Sequence, residues 1–283
     1  MFPTPIQSTS APVRWLYKAG LPVALLLWLL PIIAVAFTSV RGLGDLSAGN
    51  YWGWPSEWKL AENYTAVFSN TPLARYLLNS LLVTVPTVLG AVALACMAGF
   101  ALGVYRFRAN LLVFFVFVGG NFVPFQILMV PVRDLTLRLG LYDSITGLVL
   151  FHIAFQSGFC TFFMRNFIRD LPRELIEAAR VEGASEIQIF YKVVLPLVRP
   201  AIAALSVLIF TFIWNDYFWA TVLIQGNHAM PVTGGLKSLN GMWVAQWHLV
   251  SAGSIIAALP PVAIFFLMQK HFIAGLTFGA TKG

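Results

Sequence analysis

The chain has 283 residues, of which 59% are hydrophobic and only 10% charged, and its mean hydropathy is +0.79. A soluble domain carries about 25% charged residues, so this composition excludes an ordinary soluble enzyme and defines an integral membrane protein. The net charge of +7 is accounted for by basic residues at membrane edges, and no nucleic-acid partner is expected.

In chain order, residues 1–18 form a short polar leader carrying Arg14 and Lys18. Ala19 to Val40 is free of charge and long enough to span a bilayer. Ala34-Val35-Ala36 offers a cleavage site of the signal-peptide kind, but the five apolar stretches that follow favour a retained first span. Residues 41–75 hold Tyr51, Trp52, Trp54 and Trp58. These read as an interfacial aromatic belt, with a contact surface for an external partner as the other option.

The second span runs from Leu77 to Tyr105, with Ala91, Ala95, Gly99 and Gly103 at every fourth position. Such a stripe lets another helix approach closely. Leu111 to Val132 is the third span. It is interrupted by Gly119-Gly120 and Pro124 and carries Asn121 and Gln126. Ile145 to about Phe163 is the fourth, with His152, Gln156 and Cys160 on one face. Ala201 to Ile224 and Leu249 to Met268 are the fifth and sixth. Lipid admits helices and closed barrels only, so the expected fold is all-α with six transmembrane helices. With the N-terminus inside, 12 of the 18 Lys and Arg residues, Arg165 among them, fall on inner segments and six on outer loops. This bias puts both termini in the cytosol of a multi-pass inner-membrane protein.

Between the fourth and fifth spans lies the longest charged interval of this part of the chain, Asp170 to Pro200. It reads as two short helices joined by a hinge. Asp170 is a suitable N-cap and Pro172 suits a first turn. Leu171, Leu175, Ala178 and Ala179 form an apolar face opposite Arg173, Glu174, Glu177 and Arg180. Gly183 is placed to end the first helix in the left-handed conformation. Ser185 and Gln188 match a capping box for the second helix, which stops before Pro196. Two helices lying on a membrane surface make a rigid peg.

Glu177-Ala178-Ala179, then Gly183 after three residues, then nine residues to Val193, and Leu195-Pro196 resemble the EAA signature of ABC importer permease subunits. Val193 stands where isoleucine is usual. Trp214-Asn215-Asp216 and the end of the chain, residues 275–283, are similar to the smaller permease of maltose-type carbohydrate importers. The resemblance implies a permease domain over residues 19–274, with a cytosolic coupling loop at 167–200 and a cytosolic tail at 275–283. It implies that Glu177, Ala178, Ala179, Gly183, Leu195 and Pro196 meet the ATPase. It also implies a second homologous permease, two ATPase subunits holding ATP and Mg, an external solute-binding protein and a sugar substrate. The tail should insert between the ATPase subunits. The loop from Gln225 to Trp247 should reach the binding protein, with an ordinary external turn as the equal alternative.

No phosphate-binding G-x-x-x-x-G-K-[ST] loop and no hydrolase or metalloprotease motif occurs. No cofactor and no catalytic role is therefore expected on this chain. His152, His228, His248 and His271 lack metal-ligand spacing. Cys96 and Cys160 lie inside spans and imply no disulfide framework. The polar residues within spans are candidates for the substrate path. At about 1.5 Å per residue, Asn215, Asp216 and Gln126 lie roughly 22 Å from the inner surface and His152 about 10 Å from the outer one, so they share a layer. Trp214, Tyr217, Phe218 and Trp219 supply aromatic walls. A buried carboxylate must face a wet cavity or a partner. Asp216 and His152 also admit a different reading, the proton relay of a self-contained secondary transporter.

Overall fold

A computed structural model describes residues 10–237 and 246–277. The described residues are helical, with α1 at Ala11–Ser39, α2 at Leu43–Ser47, α3 at Leu60–Ser69, α4 at Leu73–Val104, α5 at Asn110–Gly119, α6 at Met129–Arg138 and α7 at Ile145–Arg169. These are followed by α8 at Arg173–Val181, α9 at Glu186–Ile189, α10 at Leu195–Leu197, α11 at Arg199–Trp214, α12 at Phe218–Leu223, α13 at Val232–Leu236 and α14 at Trp247–Thr277. Of the described helices, α1, α4, α7 and α14 are long and apolar enough to cross a membrane, and two bent pairs raise the number to as many as six. The protein is an all-α membrane protein.

The chain divides into two compact units, residues 1–71 with 239–256, and residues 72–238 with 257–283. In the first, the guanidinium of Arg41 is fully buried and donates to the carbonyls of Asn50 and Gly53. It ties down the loop that carries Trp54 and Trp58, which cluster with Phe37 of α1 at ring-centroid distances of 5.9–6.5 Å. Trp52, Trp54 and Trp58 are nevertheless exposed, as membrane-edge tryptophans are.

In the second unit α4 packs along α7. The small-residue stripe of α4 lies at this contact. Ala91 and Ala95 are fully buried, and a Cβ on Gly99 would sit 2.9 Å from the Arg165 amide nitrogen and 3.0 Å from Met164 Cβ. Trp214 at the end of α11 is buried, stacks on Phe210 and donates from Nε1 to the Ala257 carbonyl of α14 at 2.9 Å. It is a core residue, not the cavity wall expected of it.

The third span is bent at its Gly and Pro interruption, as its sequence suggests, and the fifth ends early. Asn110–Phe122 and Phe125–Arg138 meet at 91°, because Gly119 and Gly120 loosen the helix and Pro124 cannot continue it. α11 stops at Trp214 after 16 residues, about 24 Å of rise, short of the ~30 Å hydrocarbon core. Asn215 and Asp216 therefore sit at a break and not inside a fifth span.

Candidate functional site

The two breaks share an aromatic cluster. Phe125, just past the first, meets Phe218 of α12, just past the second, edge to face at 5.0 Å. Phe218 contacts Trp219 at 5.2 Å, and Trp219 lies 4.1 Å from Phe151 of α7. His152, one residue on, is buried at 3% exposure, and its Nε2 stands 3.4 Å from Asp216 Oδ2. That spacing is close enough for an ion pair, but neither ring nitrogen has hydrogen-bond geometry to a protein atom among the described residues.

Asp216 is otherwise occupied with its own backbone. Its carboxylate accepts the amides of Trp219 at 3.3 Å and Ala220 at 3.0 Å, and so caps α12. Thr233 donates to its carbonyl at 2.6 Å. Of the four residues expected to share a polar layer, His152 and Asp216 are brought together. Asn215 is exposed and bonds back to the Thr211 carbonyl at 2.9 Å. Gln126 is exposed on the 3₁₀ turn Phe125–Leu128. Depths counted along straight helices do not hold for residues beyond a break.

The segment after α12 is packed on its own chain. Asp143, at φ 56°, accepts the amides of Gln225 and Gly226 at 2.8 and 2.9 Å. Asn79 of α4 donates to the carbonyls of His228 and Met230, and Ser80 accepts the Val232 amide. A Cβ on Gly235 would strike the Tyr76 ring. The first half of the loop 225–247 is thus anchored and not free to extend, while its residues 238–245 lie outside the described residues. Of the tail 275–283, residues 275–277 continue α14 and 278–283 lie outside the described residues.

The peg is formed by α8, α9 and their continuation. Its first helix starts later than expected. Pro172 is the N-cap and Asp170 instead ends α7, since the restricted backbone of Pro172 defines the new start. Ile176 is the buried residue of α8, and Leu175 is 44% exposed. The expected apolar face of Leu171, Leu175, Ala178 and Ala179 is therefore not the packed one. Ile176 lines a cavity of about 260 Å³ with Gly103, Val104 and Ile168. Glu177 and Arg106, Arg169 and Arg173 line the same cavity. Arg165, counted in sequence as a loop charge, lies inside α7. It is buried, with its guanidinium 3.9 Å over the Phe114 ring and Nε donating to the Leu102 carbonyl.

Gly183 has φ 83°. The amide of Ala184 reaches the Ala179 carbonyl and that of Gly183 the Arg180 carbonyl, both at 3.0 Å, which completes a Schellman turn. Ser185 and Gln188 form the expected capping box. Glu177 is exposed and makes no ion pair among the described residues, because Arg180 turns away from it toward Glu186. Arg180 Nε lies 2.8 Å from Glu186 Oε1 and its Nη2 3.2 Å from Oε2. The Tyr105 hydroxyl, at the end of α4, donates to the same Oε2 at 2.5 Å. Neither Tyr105 nor Glu186 is part of the EAA signature, and their separation of 81 residues left no local pattern by which to find the pair. Beyond α9 the chain takes a π turn, Phe190–Val194, and bends 74° into α11 at Val198.

The chain belongs to the family described as binding-protein-dependent transport system inner membrane component, whose family model matches residues 91–277. It is a permease subunit of an ABC importer, not an enzyme, and this membership displaces the self-contained carrier. Among curated relatives, the osmoprotective compounds uptake permease protein GgtD of Synechocystis sp. is 32% identical over 97% of this chain and 96% of its own. The arabinooligosaccharides transport system permease protein AraQ of Bacillus subtilis is 31% identical over 91% of this chain and 92% of its own. A solved bacterial ABC transporter involved in import of the acidic polysaccharide alginate shares the fold, with a TM-score of 0.81 at 24% identity over 95% of this chain and 100% of that one.

Proposed function

We propose that this permease imports a carbohydrate, together with a second homologous permease, two ATPase subunits that hold ATP and Mg, and an external solute-binding protein. Relatives named for arabinooligosaccharides and for melibiose, raffinose and stachyose support an oligosaccharide or a related solute. Both termini and the peg face the cytosol, as the distribution of basic residues favours.

One observation carries the coupling role. The peg leaves Leu175, Val181 and Ile187 uncovered, at 44%, 89% and 71% exposure, beside Glu177, which has no ion-pair partner among the described residues. Apolar side chains ringed by charge on a short amphipathic pair of helices suit burial by a partner. In this reading Glu177, Ala178, Ala179 and Gly183 shape the surface that enters the ATPase. Leu195 and Pro196 join it to α11, through the bend at Val198. ATP binding that favours one state of the ATPase pair then shifts the spans, as differential affinity must. On the other side of the membrane, the substrate path passes the breaks at Pro124 and Asp216. There Gln126, Asn215 and Tyr217 are exposed, with His152 and Asp216 behind them.

Co-purification tests the assembly. An ATPase subunit retained on this chain, and uptake that depends on the sugar-loaded binding protein, are the expected results. Uptake by this chain alone in liposomes would overturn the proposal. Thermal-shift screening of the binding protein against a sugar panel identifies the solute, since bound ligand stabilises by mass action.

A further inference from the structure

The peg joins the membrane part of the chain by more than its two covalent ends. Tyr105 is the first residue beyond α4 and Glu186 the first of α9. Between them the phenol hydroxyl donates to Glu186 Oε2 at 2.5 Å, and Arg180 of α8 grips both carboxylate oxygens from the other side. The Arg180 guanidinium also lies 5.9 Å from the Tyr105 ring centroid. One turn below, Phe100 of α4 contacts Phe190 at 5.2 Å and Tyr105 at 5.5 Å. A single carboxylate thus holds the end of α4, the last turn of α8 and the first turn of α9.

We infer that the Tyr105–Glu186–Arg180 triad is a clamp that makes α4 move as one body with the peg, with Tyr105 as its positioning residue on the membrane side. This inference rests on the coupling role proposed above. α4 is the helix against which α7 and α11 pack and on which Asn79 and Ser80 hold the 225–232 segment. A displacement of the peg therefore reaches the opposite end of the unit through α4 directly. Of the peg's two covalent ends, the one toward α11 runs through the 74° bend at Val198. A π turn precedes that bend, and irregular helix of this kind is a place where a segment yields.

The charge state of the clamp suits the task. Arg180 and then the Tyr105 hydroxyl hold the Glu186 carboxyl below its ordinary range. Burial and the Glu186 carboxylate push the Tyr105 phenol up to about 12. The carboxylate is ionised and the phenol protonated throughout the physiological range.

The test uses the full complex with its ATPase and binding protein, in liposomes. Tyr105→Phe removes only the hydroxyl and keeps the ring against Phe100. Glu186→Gln removes the charge that Arg180 grips. Both variants should reach wild-type levels in the membrane and keep the basal ATPase rate. Solute taken up per ATP hydrolysed should fall, on the order of two- to thirtyfold as for other coupling residues. The double variant should fall no further than the worse single one, because both act on one carboxylate. Wild-type stimulation by the binding protein with an unchanged ratio in Tyr105→Phe, or losses that multiply in the double variant, would overturn the clamp alone. Absence of stimulation in the wild-type complex would overturn the coupling role, and the clamp with it.

Discussion

His152 Nε2 and Asp216 Oδ2 face each other at 3.4 Å, across a helix break whose far side Asp216 itself caps. The pair explains why an acidic residue persists among apolar helices. Its carboxylate satisfies two amides that the break would otherwise strand, and His152 shields it. Asp216→Asn keeps one acceptor oxygen and should retain most of the uptake. Asp216→Leu loses the cap, worth about 0.5–2 kcal/mol, and should assemble but transport slowly. Uptake abolished by the asparagine variant alone, at equal membrane levels, would instead mark the carboxylate charge as essential.

Gly183 separates strain from crowding. A Cβ placed there meets nothing within 4 Å, yet φ is +83°, so a side chain costs only the left-handed conformation, about 1–2 kcal/mol. Gly183→Val should open the Schellman turn and abolish stimulated ATP hydrolysis while the protein still inserts. Gly183→Asn should be milder, because asparagine visits this conformation more readily. Equal loss in both variants, measured as stimulated turnover, would contradict this account.

The α4/α7 contact predicts a graded pair. A Cβ on Gly99 would meet the backbone of Arg165, whereas one on Gly90 meets the tip of Ile153, Cδ1 at 2.6 Å. Backbone cannot yield locally, so Gly99→Ala should destabilise by about 1–3 kcal/mol. Ile153 can rotate, at about 0.5–1.5 kcal/mol, so Gly90→Ala should cost less. Thermal unfolding in detergent ranks the two, and the reverse order would be inconsistent with the packing described.

The clamp also sets a pH dependence. Glu186 is held below its unfolded value of about 4.3, so its contribution is complete above that value and fades as pH falls through the lower folded one. Tyr105 is raised from about 10 to about 12, so its contribution is complete below about 10 and fades as pH rises through 12. Uptake per ATP hydrolysed should therefore be flat between about pH 6 and 9. A step in that window that disappears in Tyr105→Phe would mean that the clamp titrates there.

Helix identity and the peg were legible in the residues because hydropathy, the Gly183 turn and the Ser185–Gln188 box are local signals. The breaks were half legible. Gly119-Gly120 and Pro124 announced the first, but nothing before Asp216 announces the second. α11 ends at Trp214 with Asn215 as its C-cap, and no Gly or Pro marks the position. The α8 face was misread because amphipathic spacing cannot distinguish a face that packs on its own chain, through Ile176, from one left exposed at Leu175. Tyr105–Glu186 joins residues 81 positions apart and has no signature in either neighbourhood.

Transmission through the peg is the central claim, and Glu177 tests it most directly. It is exposed and makes no ion pair among the described residues, so reversing its charge should leave the fold and membrane level unchanged. Burial against a basic group of the ATPase would make the loss worth about 2–5 kcal/mol. The measurement is ATP hydrolysis by the reconstituted complex, with and without sugar-loaded binding protein. Glu177→Lys should lose ATPase association and with it the stimulation. Wild-type stimulation in Glu177→Lys would contradict the claim that this segment carries ATP-driven motion into the membrane.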